Sequence, residues 1–442
     1  MKYKAYPSYK DSEDKWLGSI PAQWEVKSLK SILQERKESN NPIKTKNILS
    51  LCMYRGVIPY SEKGKSGNKA KDDLTAYKLA YPNDIVLNSM NVVAGSVGLS
   101  KYFGVVSPVY YMLRPRKEED VVEYFNDIFQ AETFQKSLFG LGNGILVKES
   151  ESTGKLNTIR MRISMEKLNT VYLPYPPASE QQVIANYLEK ATAKIDTLID
   201  KQTKLIELLK EKRQVVISTA VTRGLDNTVA MKDSGVEWLG EIPEHWGIGL
   251  LSSLFISNKN KNTDLSNKNL LSLSYGRIIR KNIDSGKGLL PENFNTYQIV
   301  KEGYIILRLT DLQNDKKSLR TGYVNEKGII TSAYIGLAKK SNSIGNERYF
   351  HLYLHTFDIF KGFYGMGSGV RQGLNFDELK KLKFTLPLHE EQNKIVEYID
   401  DKTSKIDNLI IKATKAIDLL KEKRTALISS AVTGKIDVRD IA

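Results

Sequence analysis

The sequence predicts an α+β protein in which two mixed α/β domains are joined by two long antiparallel coiled-coil helices, the whole forming a pseudo-two-fold internal repeat. Three observations predict it: a nine-residue motif written twice, a long segment repeated without gaps, and a 4-3 spacing of apolar residues inside that segment. The implied division is a first domain over 1–176, a central helix over 177–223, a second domain over 224–387, and a C-terminal helix and tail over 388–442.

The motif comes first in the chain. Trp16-Leu17-Gly18-Ser19-Ile20-Pro21-Ala22-Gln23-Trp24 returns as Trp238-Leu239-Gly240-Glu241-Ile242-Pro243-Glu244-His245-Trp246, with six of nine residues identical. Lys10-Asp11-Ser12 returns before it as Lys232-Asp233-Ser234. Further on, Glu180 to Asp226 aligns with Glu391 to Asp437 at 26 of 47 positions, far beyond chance. Between these matched ends the halves diverge, and only fragments correspond. Phe139-Gly140-Leu141-Gly142-Asn143-Gly144 stands opposite Tyr364-Gly365-Met366-Gly367-Ser368-Gly369, and Asp84-Ile85-Val86-Leu87 opposite Tyr304-Ile305-Ile306-Leu307. The first half holds about 14 extra residues near Leu146 to Thr158. Alike connectors therefore carry two different domains of one fold.

The connectors read as helices. In the first, Ile184, Leu188, Ala191, Ile195, Leu198, Gln202, Leu205, Leu209, Lys212 and Val216 step alternately by four and three. In the second the steps fall on Ile395, Ile399, Lys402, Ile406, Leu409, Ala413, Ala416, Leu420, Lys423 and Leu427. That is the seam of a coiled coil, so Ile184, Leu188, Ile195, Leu198, Leu205, Leu209, Ile395, Ile399, Ile406, Leu409 and Leu420 are the candidate packing residues. Ser179 to Gln182 fits a capping box after Pro176-Pro177, and Gly224 and Gly434 fit helix stops. Each helix runs about 40 residues, or about 60 Å at 1.5 Å per residue. A head-to-tail duplication places two such helices antiparallel; two separate helices, each packed on its own domain, form the alternative.

Residues 25–175 and 247–386 read as mixed α/β. Short β-branched runs suggest strands, and Tyr124-Phe125 to Phe139 and Tyr349-Phe350 to Phe363 have helical spacing. Basic residues gather in loops: eight Lys or Arg against three acids from Lys44 to Lys78, and seven against two from Lys259 to Lys287. Cations neutralise phosphates, and Arg, Asn, Gln and Lys read base edges. The candidate DNA contacts are Arg55, Lys63, Lys65, Asn68 and Lys69 in the first half and Arg277, Arg280, Lys281 and Lys287 in the second. Arg160 and Arg371 join them at matched positions, where a structural salt bridge serves equally well.

A net charge of +15 over 442 residues favours polyanionic partners. The single cysteine, Cys52, excludes an internal disulfide, and the chain has neither a signal-peptide-like start nor an apolar run of membrane-spanning length. A cytoplasmic location is the expectation. No catalytic motif survives inspection. Phe363-Tyr364-Gly365-Met366-Gly367 mimics a methyltransferase Gly-rich loop, but no Asn/Asp-Pro-Pro-Tyr/Phe tetrapeptide follows. Gly64-Lys65-Ser66 lacks the glycine of a phosphate loop, Pro59 standing there instead. His351 and His355 have helical ligand spacing, but Leu352 occupies the place of a zinc protease glutamate. The chain is expected to be non-catalytic, with no metal and no cofactor of its own.

The Trp-Leu-Gly-x-Ile-Pro-x-x-Trp opening, the Leu-Pro and Glu-Gln element before each helix (Leu173-Pro174 with Glu180-Gln181, Leu386-Pro387 with Glu391-Gln392) and the duplication together resemble type I restriction–modification specificity subunits. The resemblance covers essentially the whole chain. It departs where Ile159-Arg160-Met161-Arg162 stands opposite Gly369-Val370-Arg371-Gln372. It implies two target-recognition domains, each reading half of a split site in double-stranded DNA, and spacer helices that fix the gap. It further implies docking of two methyltransferase subunits, which use S-adenosylmethionine to methylate adenine. Two motor-nuclease subunits using ATP and Mg²⁺ complete a complex that defends against foreign DNA. Lys210 to Arg213 and Lys421 to Arg424 are candidate parts of the docking surface, or equally a solvated flank. A coiled-coil adaptor without sequence-specific DNA reading is the rival class.

Overall fold

The computed structural model describes residues 3–52, 55–64, 69–145, 160–281, 293–313, 315, 318–366 and 373–441. They form two compact units, Met1–Thr203 with Lys415–Ala442, and Lys204–Thr414. Each unit thus takes the start of one long helix and the end of the other.

The globular part of the first unit is built on a four-stranded antiparallel sheet in the order Leu33–Arg36, Tyr110–Pro115, Ile85–Asn88, Val97–Leu99. The second unit repeats it as Phe255–Ser257, Ile335–Lys339, Ile305–Leu307, Thr321–Tyr323. The central strands are apolar without alternation because both faces are covered: Ile85, Val86 and Leu87, like Ile305, Ile306 and Leu307, are fully buried. One face takes a helix, Val122–Gln130 or Glu347–Ile359. The other takes a hairpin, Leu49–Cys52 with Gly56–Pro59, or Leu271–Ser274 with Arg277–Arg280. The helix expected to run to Phe139 breaks where Ala131 turns extended, and a separate short helix, Glu132–Ser137, follows.

The long helices span Ala178–Arg223 (46 residues) and His389–Val432 (44 residues), somewhat longer than expected. The first begins one residue before the expected cap: the amides of Glu180 and Gln181 donate to the Pro177 carbonyl, which leaves Ser179 inside the first turn. Gly224 and Gly434 end the helices in the left-handed region, at φ 75° and 69°, where a side chain is strained. Gly224 lies against Trp246 and Gly434 against Trp24, so the second tryptophan of each motif forms the seat of a helix end.

Within each unit the two helix segments run antiparallel. In the first, Ile184, Leu188 and Ile195 join one core with Leu427, Ile428 and Ala431, and Arg424 bonds Asp196 at 2.9 Å. In the second, Ile217, Ala220 and Val221 join a core with Ile395, Val396 and Ile399, and Arg213 bonds Asp407 at 3.0 Å. The seam departs from its expected phase. Ile184, Leu188, Ile195, Leu209, Ile395, Ile399 and Ile406 are buried and Leu420 half-buried, but Leu198 (46% exposed), Leu205 (42%) and Leu409 (49%) face solvent. Their neighbours Ile199, Ile206 and Ile410 turn inward instead. The cause is an extra step of four: Ile399 is followed at the seam by Thr403, and from there on every second inward position, Thr403 and Ile410 among them, lies one residue later than expected, while Ile406 and Ala413 keep their places.

Candidate nucleic-acid interface

The recognisable sequence element Glu-Gln is a joint. Gln181 is buried; its amide group donates to the Pro176 carbonyl at 2.9 Å and accepts from the Val121 amide at 3.0 Å, at the start of helix Val122–Gln130. Gln392 does the same between the Pro387 carbonyl (2.9 Å) and the Asn346 amide (2.8 Å), at the start of helix Glu347–Ile359. Opposite each joint a buried tyrosine takes a carbonyl at the end of the other long helix: the Tyr124 hydroxyl donates to Val432 (3.1 Å), and that of Tyr349 to Val221 (3.2 Å). Each globular part is therefore held by hydrogen bonds to both helices, and its hairpin is aimed by a fixed frame.

The hairpins carry most of the described candidate contacts. Arg55 follows the first hairpin's inner strand and is exposed; its guanidinium donates to the Glu62 carbonyl (3.2 Å) and carboxylate (3.3 Å). Lys63 lies over the Tyr60 ring at 5.2 Å, and Lys69 is exposed. In the second unit Arg277 is exposed, with Asp407 at 3.9 Å, and Arg280 makes a forked pair with Glu326 at 2.8 and 2.9 Å. The Arg280 guanidinium holds the Glu326 carboxyl below its usual range. A phosphate at Arg280 must therefore displace Glu326. Lys281 is half-buried, its amide donating to the Leu270 carbonyl. Arg160 lies on a strand paired with Asn143–Ile145. Lys65, Asn68, Lys287 and Arg371 lie outside the described residues.

Between hairpin and long helices each unit holds a cavity, and the two are furnished differently. In the first, about 190 Å³ is lined by Arg55, Asn126, Asp127, Gln130 and Arg424 among others. Burial pushes the Asp127 carboxyl up to about 7 against the opposing pull of Arg424. In the second, about 800 Å³ is lined by Arg213, Arg277, Arg348, His351, His355 and Asp407 among others. Burial, with Arg213 and Arg348 nearby, pulls the His355 imidazole down to about 4; His351 is pulled down by burial, Arg348 and His355. Among the described residues no group of three His, Cys, Asp or Glu gathers that could hold a metal, and no helix is long and apolar enough to cross a membrane.

One residue escaped the sequence reading. Tyr275 stands at the tip of the second hairpin, 84% exposed. The signal that marks it is a Tyr-Gly pair between two strand-like runs, Leu271–Ser274 and Arg277–Arg280.

Residues 21–208 and 243–417 match the family described as type I restriction modification DNA specificity domain. Among curated proteins, the chain is similar to the putative type I restriction enzyme MjaX specificity subunit of Methanocaldococcus jannaschii, 24% identical over 96% of each chain. It is also similar to the MjaVIII specificity subunit of the same organism, 23% identical over 96% of this chain and 95% of the relative, and to the EcoBI specificity subunit of Escherichia coli, 22% identical over 71% and 68%. Among solved structures, one described as showing complex assembly and conformational transition of the type I R-M system shares the fold, with a TM-score of 0.65 at 12% identity over 93% of this chain and 98% of that one.

Proposed function

The chain belongs to the type I restriction modification DNA specificity family, and from that premise we propose that it reads a bipartite DNA target, one recognition domain per half-site, while its long helices dock methyltransferase subunits. The observation that carries this reading is the duplication with divergence: one sheet order and one set of joints serve two hairpins whose exposed side chains differ. Two weak readers on one chain bind as one tight reader through effective concentration. Half-sites about one helical turn apart suit a two-fold reader on one face of DNA. Arg55, Lys69, Arg277 and Arg280 supply cations for phosphates and base edges.

The docking surface is the apolar flank that the seam leaves outside. In the second unit it holds Leu205, Leu208, Val215 and Leu409, and in the first Leu198 and Leu419, all exposed. Exposed apolar residues in register along a helix favour a helical partner. Lys210, Lys212, Lys421 and Lys423 edge this flank, whereas Arg213 and Arg424 are taken by Asp407 and Asp196 and serve the pairing of the helices. In this reading the subunit gives specificity and no chemistry. S-adenosylmethionine belongs to two methyltransferase partners, and ATP and Mg²⁺ to two motor-nuclease partners.

The test is to co-purify the chain with its methyltransferase partner and map methylated adenines across random DNA. A single split motif is the expected result, and exchanging residues 25–175 should then rewrite one half of it only. Scattered methylation, or no partner retained, would overturn the reading in favour of a coiled-coil adaptor.

A further inference from the structure

Ser274 and Arg277 are paired across the second hairpin, which leaves Tyr275 and Gly276 as a two-residue loop. Both have positive φ, 46° and 77°. A two-residue loop with both central residues in that region matches the right-handed twist of the strands, and its favoured sequence is Asn-Gly. Glycine suits the second place. The first is held by an aromatic side chain, which the left-handed region disfavours. No packing repays this: Tyr275 is 84% exposed and makes no hydrogen bond or ring contact with any described residue. Strain kept without a structural return marks a residue retained for what it meets outside the chain.

Its surroundings say what that is. Arg277 and Arg280 follow on the outgoing strand with highly exposed side chains, and Ile279 between them is exposed as well. Lys281 comes next. A two-stranded ribbon fits a DNA groove, arginines beside its tip meet phosphates, and a rigid aromatic at the tip meets bases. Gly276 lets the ribbon lie close on its own domain, for a side chain there would press on Leu319 at 3.0 Å.

We propose that Tyr275 is a stacking wedge of the second recognition domain, inserted against the bases of its half-site while Arg277 leaves Asp407 for a phosphate. This rests on the DNA-reading function above. It goes beyond that reading by assigning recognition at this half-site to stacking and unstacking, a cost that depends on the base step opened.

The test uses the full-length chain with its methyltransferase partner, on the target mapped above, carrying 2-aminopurine at successive positions of the second half-site. Wild-type protein should raise the fluorescence at one step other than the methylated adenine, whose extrusion by the methyltransferase gives its own signal. Tyr275→Asn should abolish that rise and weaken binding to the target by about tenfold or more. The same substitution should raise the melting temperature, because asparagine suits the turn, so lost binding cannot be assigned to misfolding. Tyr275→Trp should keep the signal. A Tyr275→Asn protein that binds and unstacks like wild type overturns the wedge and leaves the bipartite reading intact. If the variant binds DNA normally but loses the methyltransferase partner, the tip is a protein contact and the wedge is likewise overturned. Wild-type protein without sequence preference sinks the reading and the wedge together.

Discussion

The joint between recognition domain and long helices is built twice, by the same residues, and furnished with opposite chemistry. Gln181 and Gln392, Tyr124 and Tyr349, Arg424 and Arg213 take equivalent places. Yet the helix beneath the first hairpin offers Asn126, Asp127 and Gln130, and that beneath the second offers His351, Leu352 and His355. One side can place an acid opposite its arginine, whereas the other places two bases near arginines. Backbone hydrogen bonds and helix seams tolerate no such freedom, because an unmatched buried polar group costs about 1–3 kcal/mol. The frame is therefore repeated, and the space inside it is free to diverge.

The largest contrast should come from the tryptophan seats. The Trp246 indole donates to Glu391 at 3.0 Å, while the buried Trp24 nitrogen has no hydrogen-bond partner among the described residues. Both Trp→Phe variants lose ring volume, but Trp246→Phe also takes one hydrogen bond from Glu391, which keeps His245 at 2.9 Å, so it should cost about 2–3 kcal/mol against about 1–2 for Trp24→Phe. Urea denaturation of each variant measures this; equal losses would show that Glu391 lends the second seat nothing.

Next come the glycines behind those seats. A side chain at Gly434 would overlap Pro21 and approach Trp24 to 3.2 Å, whereas at Gly224 the nearest atom is 3.3 Å away. Both positions have positive φ. Gly434→Ala should therefore cost about 2–3 kcal/mol and Gly224→Ala about 1. Reversed thermal shifts would mean that the first seat yields more easily than its packing implies.

The pH response should split the units. Asp127 titrates near 7 in the fold against an ordinary 3.8, so its contribution is full below about pH 4 and is lost as the pH rises through 7. His355 titrates near 4 against an ordinary 6.5, so its contribution is full above about pH 6.5 and is lost as the pH falls through 4. His351 acts in the same direction, with Arg348, Arg213, Arg277, Asp400 and Asp407 as its charged surroundings. Hydrogen exchange between pH 7 and 5 should show the first unit tightening and the second loosening. Asp127→Asn should flatten the first trend, and His351→Gln with His355→Gln the second.

The smallest effect is expected at the seam arginines, where exposed pairs are worth at most about 1 kcal/mol. Arg424→Met loses two bonds to Asp196 and the cation facing Asp127. Arg213→Met loses one bond to Asp407, which keeps Arg277 at 3.9 Å, so its net loss should be the smaller in a thermal melt.

The duplication, the two long helices and the mixed domains were legible because they are written in repeats and periods. The phase of the seam was not. Leu198-Ile199, Leu205-Ile206 and Leu409-Ile410 are adjacent apolar pairs, and a 4-3 count fits either member until the extra step after Ile399 is seen. The hairpin arginines were legible as a basic cluster, but the pairing of Arg280 with Glu326, 46 residues away, has no local signature. Tyr275 was hidden for a different reason: its meaning lies in a backbone angle, and composition does not record angles.

The reciprocal sharing of the long helices also has a genetic consequence. Each unit needs the start of one helix and the end of the other, so both helices must keep the same two surfaces while the domains drift. A crossover in register between Glu180–Asp226 and Glu391–Asp437 would excise 211 codons in frame and splice one helix from the two. The product would be a half-length chain with one domain and one complete helix. Its helix end would be left to meet the helix start of a second copy, restoring two like units from two short chains.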